Sequence, residues 1–550
     1  MTPPARLRIT GGTVYDPANA IDGEVRDVCI EDGRIVESLP DDAPRLDARG
    51  MVIMPGGIDM HTHVAASSVN SARRLLAEEH AAHPLSAPSL DGGESRSRSG
   101  TGGTVPSTFS TGYQYAGLGY TTIFEAAVAP LAARETHAEL DDTPIVDAGC
   151  YILMGNDEYL HRQIAAGERD RARDYAAWLL RAAGGYAIKI VNPGGVTLWK
   201  DGVREVAGLD APVGDPRVTP RTILETLADV ANELHLPHPV HVHCNHLGVP
   251  GNIATTLESM RTLSGRRAHF THLQFHSYSG ERGGAWSSAA KDVAEYVNTH
   301  PELSGDVGQV MFGPATTVTA DAAVEYLLHA ATGRKWVNQD IELETGCGVV
   351  PYSYREKAAV SALQWVIGLE LFLLSEDPWR MVLSTDHPNG GSFMAYPRLI
   401  QLLMDRAVRD EQLKRVNPAM LAGSALADGL AREYTLNEIA IITRAGPARL
   451  LGLTNKGHLG AGADADITVY TRNADLATMF ATPRYVFKGG TLVVEEGQLR
   501  RAPVGSRIAV RPEYDDTVER DLKRYFDRYG TVSFENYPVS ATRDTRSPGE

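Results

Sequence analysis

"RTILETLADVANELHLPHPVHVHC", residues 221–244, joins two local patterns with almost no spacer between them. Ile223, Leu227, Val230 and Leu234 recur at the intervals that place side chains on one face of a helix. The apolar run "HPVHVHC" that follows has the length of a buried strand. Working outward, the same succession returns. "RARDYAAWLLRAAGG" leads into "YAIKIVN", "GNIATTLESMRTL" into "AHFTHLQF", and "AAVSALQWVIGLELFLL" into "WRMVLSTDH". A chain that repeats helix then strand builds a parallel sheet, because parallel neighbours need a crossover long enough to be a helix. The expected fold class is α/β, a (β/α)8 barrel.

Both flanks have a different texture. "LRITGGTVYD" and "VRDVCIEDGRIVE" near the start, and "ADADITVYTR" and "YVFKGGTLVVEEGQL" near the end, are short β-like runs broken by Gly and Asp turns. Two such distant segments are expected to pair in one satellite sheet that brings the chain ends together. The division expected is therefore residues 1–53 and 451–500 for the two parts of the satellite, and 54–450 for the barrel. Within the barrel a long inserted loop is placed near 66–116, where "SLDGGESRSRSGTGGTVPSTFSTGY" interrupts the rhythm. Long loops in compact domains are often functional, so it either shapes the pocket or docks a partner subunit, or is a plain mobile surface loop. Residues 501–550 alternate charges with aromatics, as in "VERDLKRYFDRYGTVSFENY". They read equally as a docking segment for another subunit or as a surface helix and strand.

Composition narrows the function classes. The formal net charge of −16 disfavours nucleic acid and anionic membranes as partners. No apolar run approaches the length of a membrane span, and "MTPPARLRIT" lacks the basic-then-apolar pattern of a secretory signal, so a cytoplasmic location is expected. The four cysteines form no CxxC pair, which argues against an iron–sulfur cluster or a zinc ribbon.

Chemistry enters with "PGGIDMHTHV", residues 55–64, where His61 and His63 stand two apart and face the same side of a strand. Random placement of 18 histidines would give about 0.6 such pairs, so the pair needs support. It comes from Lys189 in "AIKIVNPGG", His243 in "VHVHCNHLG", His272 in "HFTHLQFH" and Asp386 in "LSTDHPNGG". Each lies in or just after an apolar strand-like run, at what reads as five successive strand ends. In a parallel barrel such ends converge on one mouth, where active sites are built. Neutral imidazole and carboxylate suit zinc. Lys189 fits poorly, because an ammonium has no lone pair and repels a cation; the alternative is an anion-pairing lysine at the pocket rim. Cys244 adjoins His243 but points to the opposite face, which makes it a packing residue.

The ordered set "HTH", strand Lys, strand His, strand His and "TDH" resembles the amidohydrolase superfamily with two metals, and the flanking β segments look like its composite β-sandwich. In that superfamily the lysine is carboxylated and its carbamate bridges the cations. "KIVNPGG", "HVHCNHLGVPGN", "HFTHLQFHSYS" and "STDHPNGGSF" narrow the resemblance, across roughly residues 5 to 500, to the A subunits of formylmethanofuran dehydrogenases and of bacterial formyltransferase/hydrolase complexes. Carried over residue by residue, His61, His63, Lys189, His243, His272 and Asp386 become the metal set for two divalent ions, expected to be zinc. His276, four residues after His272, competes for the same ligand place if the strand continues, and stands beside Asp386 as a catalytic candidate.

The resemblance implies hydrolysis of the N-formyl group of a formyl-methanofuran-type carrier to formate and free amine, or the reverse. The cations acidify water and polarise the formyl oxygen, and Asp386 moves the proton. It also implies partner subunits. Arg- and Ala-rich stretches such as "ARRLLAEEHAAH" fit a high-GC bacterial source and favour the formyltransferase/hydrolase complex over the molybdenum or tungsten dehydrogenase. The competing readings are a free-standing cyclic-amide hydrolase or deacylase with the same metal set, and a metal-free scaffold subunit that keeps only the barrel.

Overall fold

The structure, a computed structural model, describes residues 6–85, 98–203, 208–280, 286–319, 321–339, 347–540 and 545–547. Its centre is a set of eight parallel strands: Gly57–Thr62, Tyr120–Val128, Asp147–Leu153, Ala187–Val191, Val240–His243, Ala268–Phe270, Leu303–Asp306 and Met381–Val382. Each pairs with the next in parallel register. An isolated parallel bridge between Thr62 and His387 joins the last to the first. The α/β barrel expected from the helix–strand succession is thus the observed architecture. Its strands are buried almost throughout, as parallel strands covered by helices must be.

The quoted unit shows why these residues form these elements. The helix spans Pro220–Glu233 and begins at Thr219, whose side chain accepts from the Thr222 N–H while Thr222 returns a bond to the Thr219 N–H, with Pro220 at the first helical position. Ile223, Leu224, Leu227, Ala228 and Val230 are buried against the sheet. Leu234, expected on the same face, is the half-buried cap residue. The strand that follows, Val240–His243, sits between Ala187–Val191 and Ala268–Phe270.

The two flanking β segments meet as expected. Met51–Pro55 pairs antiparallel with Ile467–Thr471, which merges the first and last parts of the chain into one nine-stranded sheet. This sheet has its own core, built around Ile9, Val28, Ile53, Ile467 and Phe487. A buried ionic knot fastens it to the barrel. Lys456 lies 2.6 Å from Asp147 and 3.0 Å from Asp466, and Lys488 lies 2.8 Å from Asp466. The Asp147, Asp464 and Asp466 carboxylates are close enough to hold a cation, but the two ammonium groups and the Arg34 guanidinium, 2.8 Å from Asp464, already neutralise them.

Two expectations change. The segment near 66–116 is not one loop, because Ser67–Leu75, Ala77–Ala82 and Thr108–Gly117 are helices; residues 86–97 of the Ser/Gly-rich passage lie outside the described residues. The tail, in turn, is built into its own barrel. Arg507–Ile508 pairs in parallel with Ala148 and Gly149, below the place where the same strand pairs with Ala187–Val191. The helix Thr517–Tyr529 buries Val518 and Leu522, and its Phe526 joins Phe534 and Tyr537 around Trp178. Among the described residues no helix is long and apolar enough to cross a membrane.

Candidate metal centre

All six residues of the expected metal set line one cavity of about 460 Å³ at the C-terminal mouth of the barrel. They come from the first, fourth, fifth, sixth and eighth strands or the turns just after them, so the five strand ends are not successive. Asp386 is the focus. Its Oδ1 lies 3.0 Å from His61 Nε2 and 3.2 Å from His63 Nε2, and accepts from Asn389 Nδ2 at 3.0 Å. The backbone of Asp386 is left-handed, with φ of 50°, and that of His272 likewise at 36°. Such conformations persist where the surroundings over-determine them, and they cluster at functional sites.

The electrostatics suit cations. Burial pushes His243 and His276 well below the ordinary imidazole range, and pushes His272 to about 3 against the opposing charge of Asp386, so these rings have lone pairs to give. Burial also works against a charged Asp386, yet His272, His61 and His63 hold its carboxyl well below the usual carboxylate range. His63 shows the pull for positive charge directly: burial opposes its protonation, but Asp386 and Glu125 hold its pKa up at about 9.

Lys189 is not a rim lysine paired to an anion. It is 1% exposed, and its Nζ has no hydrogen-bond partner. Burial lowers its pKa to about 8 against the opposing charges of Asp306, Asp386 and Glu125. A buried ammonium without a partner is costly, whereas a neutral amine is much less so.

Two triads of donor atoms around His272 fit within 4.8 Å, His243, His272 and His276, and His61, His272 and Asp386, while a third, His61, His241 and Asp306, does not include it. His272 is common to the first two, and its Nε2 is 3.1 Å from His243 Nδ1. His276 reaches the cluster for a reason other than strand alternation. The strand ends at Phe270, and Leu273–His276 is a 3-10 turn that brings His276 back to within 5.2 Å, ring to ring, of His272. His276 is not among the residues that line the cavity. Cys244 faces away into the apolar barrel core, as its neighbour position requires.

Three acids escaped the sequence reading. Glu125, fully buried within the second strand, accepts from His63 Nδ1 at 2.9 Å and from the Val64 and Ala65 N–H groups at 2.7 and 2.8 Å. Asp306 ends the seventh strand under His61 and His269. Both were visible as lone charges in apolar runs, "TTIFEAAV" and "LSGDVG". Glu325 lines the cavity wall, and burial raises its carboxyl to about 8; nothing in its sequence neighbourhood marks it. Replacing Glu125 by Gln should weaken divalent-metal binding by about 10- to 100-fold, because an amide still satisfies the backbone N–H groups but no longer takes the His63 proton as an anion. Competition titration against a chromophoric chelator measures this.

Neutral imidazoles and carboxylates gathered at the C-terminal mouth of a parallel barrel are what a divalent-metal hydrolase requires, and that is the class of enzyme the fold and the site define. The chain belongs to the amidohydrolase family, whose profile matches residues 46–494. Protein FwdA of Methanocaldococcus jannaschii is 45% identical over 555 residues, covering 97% of this chain and 96% of that protein. The A subunit of the formyltransferase/hydrolase complex Fhc of Methylorubrum extorquens is 39% identical, covering 95% and 94% respectively. The crystal structure of the FhcABCD complex from that organism, in complex with methylofuran, contains a chain that superposes with a TM-score of 0.91 at 37% identity, covering 99% of this chain and all of that one.

Proposed function

We propose that this chain is the hydrolase subunit of a formyltransferase/hydrolase assembly, and that it cleaves the N-formyl group of a methanofuran-type carrier to formate and the free amine, reversibly. The observation that carries this reading is the end-to-end likeness to the FhcABCD chain, with the six-residue centre at the bottom of a cavity walled by apolar groups such as Phe275, Trp286 and Leu328. Such walls suit the flat ring next to a formamide and exclude bulk water from the C–N bond.

His61, His63, His243, His272, Asp386 and a carboxylated Lys189 would hold two zinc ions, which when bound supply Lewis acidity to the attacking water and to the formyl oxygen. Lys189 forms the carbamate as its neutral amine nitrogen bonds to CO₂ and releases one proton. Asp386 takes a proton from the water and delivers it to the amine nitrogen as the C–N bond breaks, so that the water oxygen ends in formate. Asn389 fixes the Asp386 carboxylate in place through its Nδ2 donor. Glu125 holds the ring of His63 with Nε2 toward Asp386.

Purification from the native host, with metal analysis and identification of co-purifying chains, tests both halves of the reading. The assembly should contain about two zinc ions per copy of this chain, as the dinuclear centre requires, and release formate from the formylated carrier. Hydrolysis of dihydropyrimidines or hydantoins in preference to the formylated carrier would instead establish a free-standing cyclic-amide hydrolase.

A further inference from the structure

Beneath the metal centre the barrel axis is filled with polar side chains where most barrels are apolar. His61, His241, His238, His269 and Asp306 are all fully buried there. Only His61 among them belongs to the cavity wall. The others touch no substrate space, and the mechanism above does not use them.

The hydrogen bonds run in one direction. His238 Nδ1 lies 2.8 Å from the carbonyl of Leu450, in the last turn of the helix Gly446–Leu451, where carbonyls have no partner within the helix. A carbonyl only accepts, so the proton of His238 is on Nδ1. Neither His238 nor His241 has a carboxylate within hydrogen-bond distance, Asp306 Oδ2 standing 3.8 Å from His241 Nε2, and an imidazolium buried without one is costly, so each ring carries a single proton. The bare Nε2 of His238 is 3.0 Å from His241 Nδ1, which must therefore donate. This leaves His241 Nε2 bare, 2.9 Å from His61 Nδ1. Asp306 Oδ2, a second acceptor, is 3.2 Å from the same nitrogen. The Thr271 hydroxyl, which can donate or accept, also contacts this nitrogen. His61 Nδ1 thus meets two acceptors, His241 Nε2 and Asp306 Oδ2, and its Nε2 faces Asp386. Tyr151 stacks on His238 at 5.4 Å and packs on His241 at 4.7 Å, centroid to centroid, holding the ring planes.

We propose that His238 and His241 are positioning residues which, anchored on the Leu450 carbonyl, keep the proton of His61 on Nδ1 and its Nε2 lone pair bare for a metal ion. The inference rests on the reading of His61 as a ligand. It differs from a proton wire, because the anchoring carbonyl neither gives nor takes a proton, so the row fixes a tautomer and conducts nothing. Asp306 accepts beside this row, its Oδ2 also meeting His269 at 3.2 Å and its Oδ1 the His272 N–H at 3.0 Å.

The test uses the full-length protein labelled with ¹⁵N-histidine, stripped of metal, with His238→Phe and His238→Gln beside the wild type. Phenylalanine keeps the ring and removes the acceptor, whereas the glutamine amide can accept from His241 and donate to Leu450. Ring nitrogen shifts should place the protons of His61 and His241 on Nδ1 in the wild type and in His238→Gln. In His238→Phe the His241 proton should move to Nε2, and zinc affinity should fall about tenfold, the lower end for loss of a group behind a ligand. Unchanged shifts and affinity in His238→Phe would overturn the proposal, as would a wild-type His61 protonated on Nε2. If His238→Phe does not fold, the wild-type and glutamine shifts still decide it. A wild type that binds no metal would refute the ligand reading while leaving the tautomer assignment measurable.

Discussion

Replacing Lys189 by alanine is expected to strip most of the divalent metal from the chain and, with it, almost all formate release. The centre gathers four histidines and one aspartate around a side chain that, as an ammonium, would oppose every cation they attract. Its Nζ is buried with no hydrogen-bond partner, a placement that is costly for an ammonium. Removing the side chain would delete the proposed carbamate and leave a space the size of a short carboxylate. Adding formate, acetate or propionate should therefore restore part of the metal content and part of the rate. Elemental analysis of the purified variant is the decisive measurement, and metal at the wild-type level would remove the carbamate from the mechanism.

Asp386→Asn should separate binding from chemistry. An amide oxygen can still touch a metal ion and fill the same volume, but it cannot accept the proton of the attacking water. Hydrolysis should fall by about 10² to 10⁴, the usual scale for one acid–base group, while metal content stays near the wild-type value. The carboxylate meets His61, His63 and Asn389 through a single oxygen, Oδ1, so the amide can keep those contacts with its oxygen in that place. Steady-state formate release measured beside metal analysis distinguishes this outcome from simple metal loss. Turnover at the wild-type rate would mean that another group accepts the proton of the attacking water.

The sequence alone determined the class of fold and most of the centre, because both are written in local periods. Helical spacing in 221–234 and its three counterparts, each followed by a strand-length run, specify parallel helix–strand units wherever they end up. Two-residue alternation puts His61 and His63 on one face, and the strand-to-loop position of Lys189, His243, His272 and Asp386 aims them at one mouth. What only the tertiary structure decided depends on partners distant in the chain. The bridge from Thr62 to His387 and the pairing of Met51–Pro55 with Ile467–Thr471 are non-local, and no period within either segment encodes them. Whether His276 joins His272 turned on where a strand stops: it ends at Phe270, and the turn after it returns His276 to the cluster by a route alternation does not describe. Glu125 and Asp306 look in sequence like isolated charges in apolar strands, and only closure of the barrel sets them against His63 and His61. The row from Leu450 through His238 and His241 to His61 spans nearly 400 residues of chain, within reach of hydrogen bonds only because eight strands share one axis. A side chain's facing is a property of its own element, but its partner is a property of the whole fold.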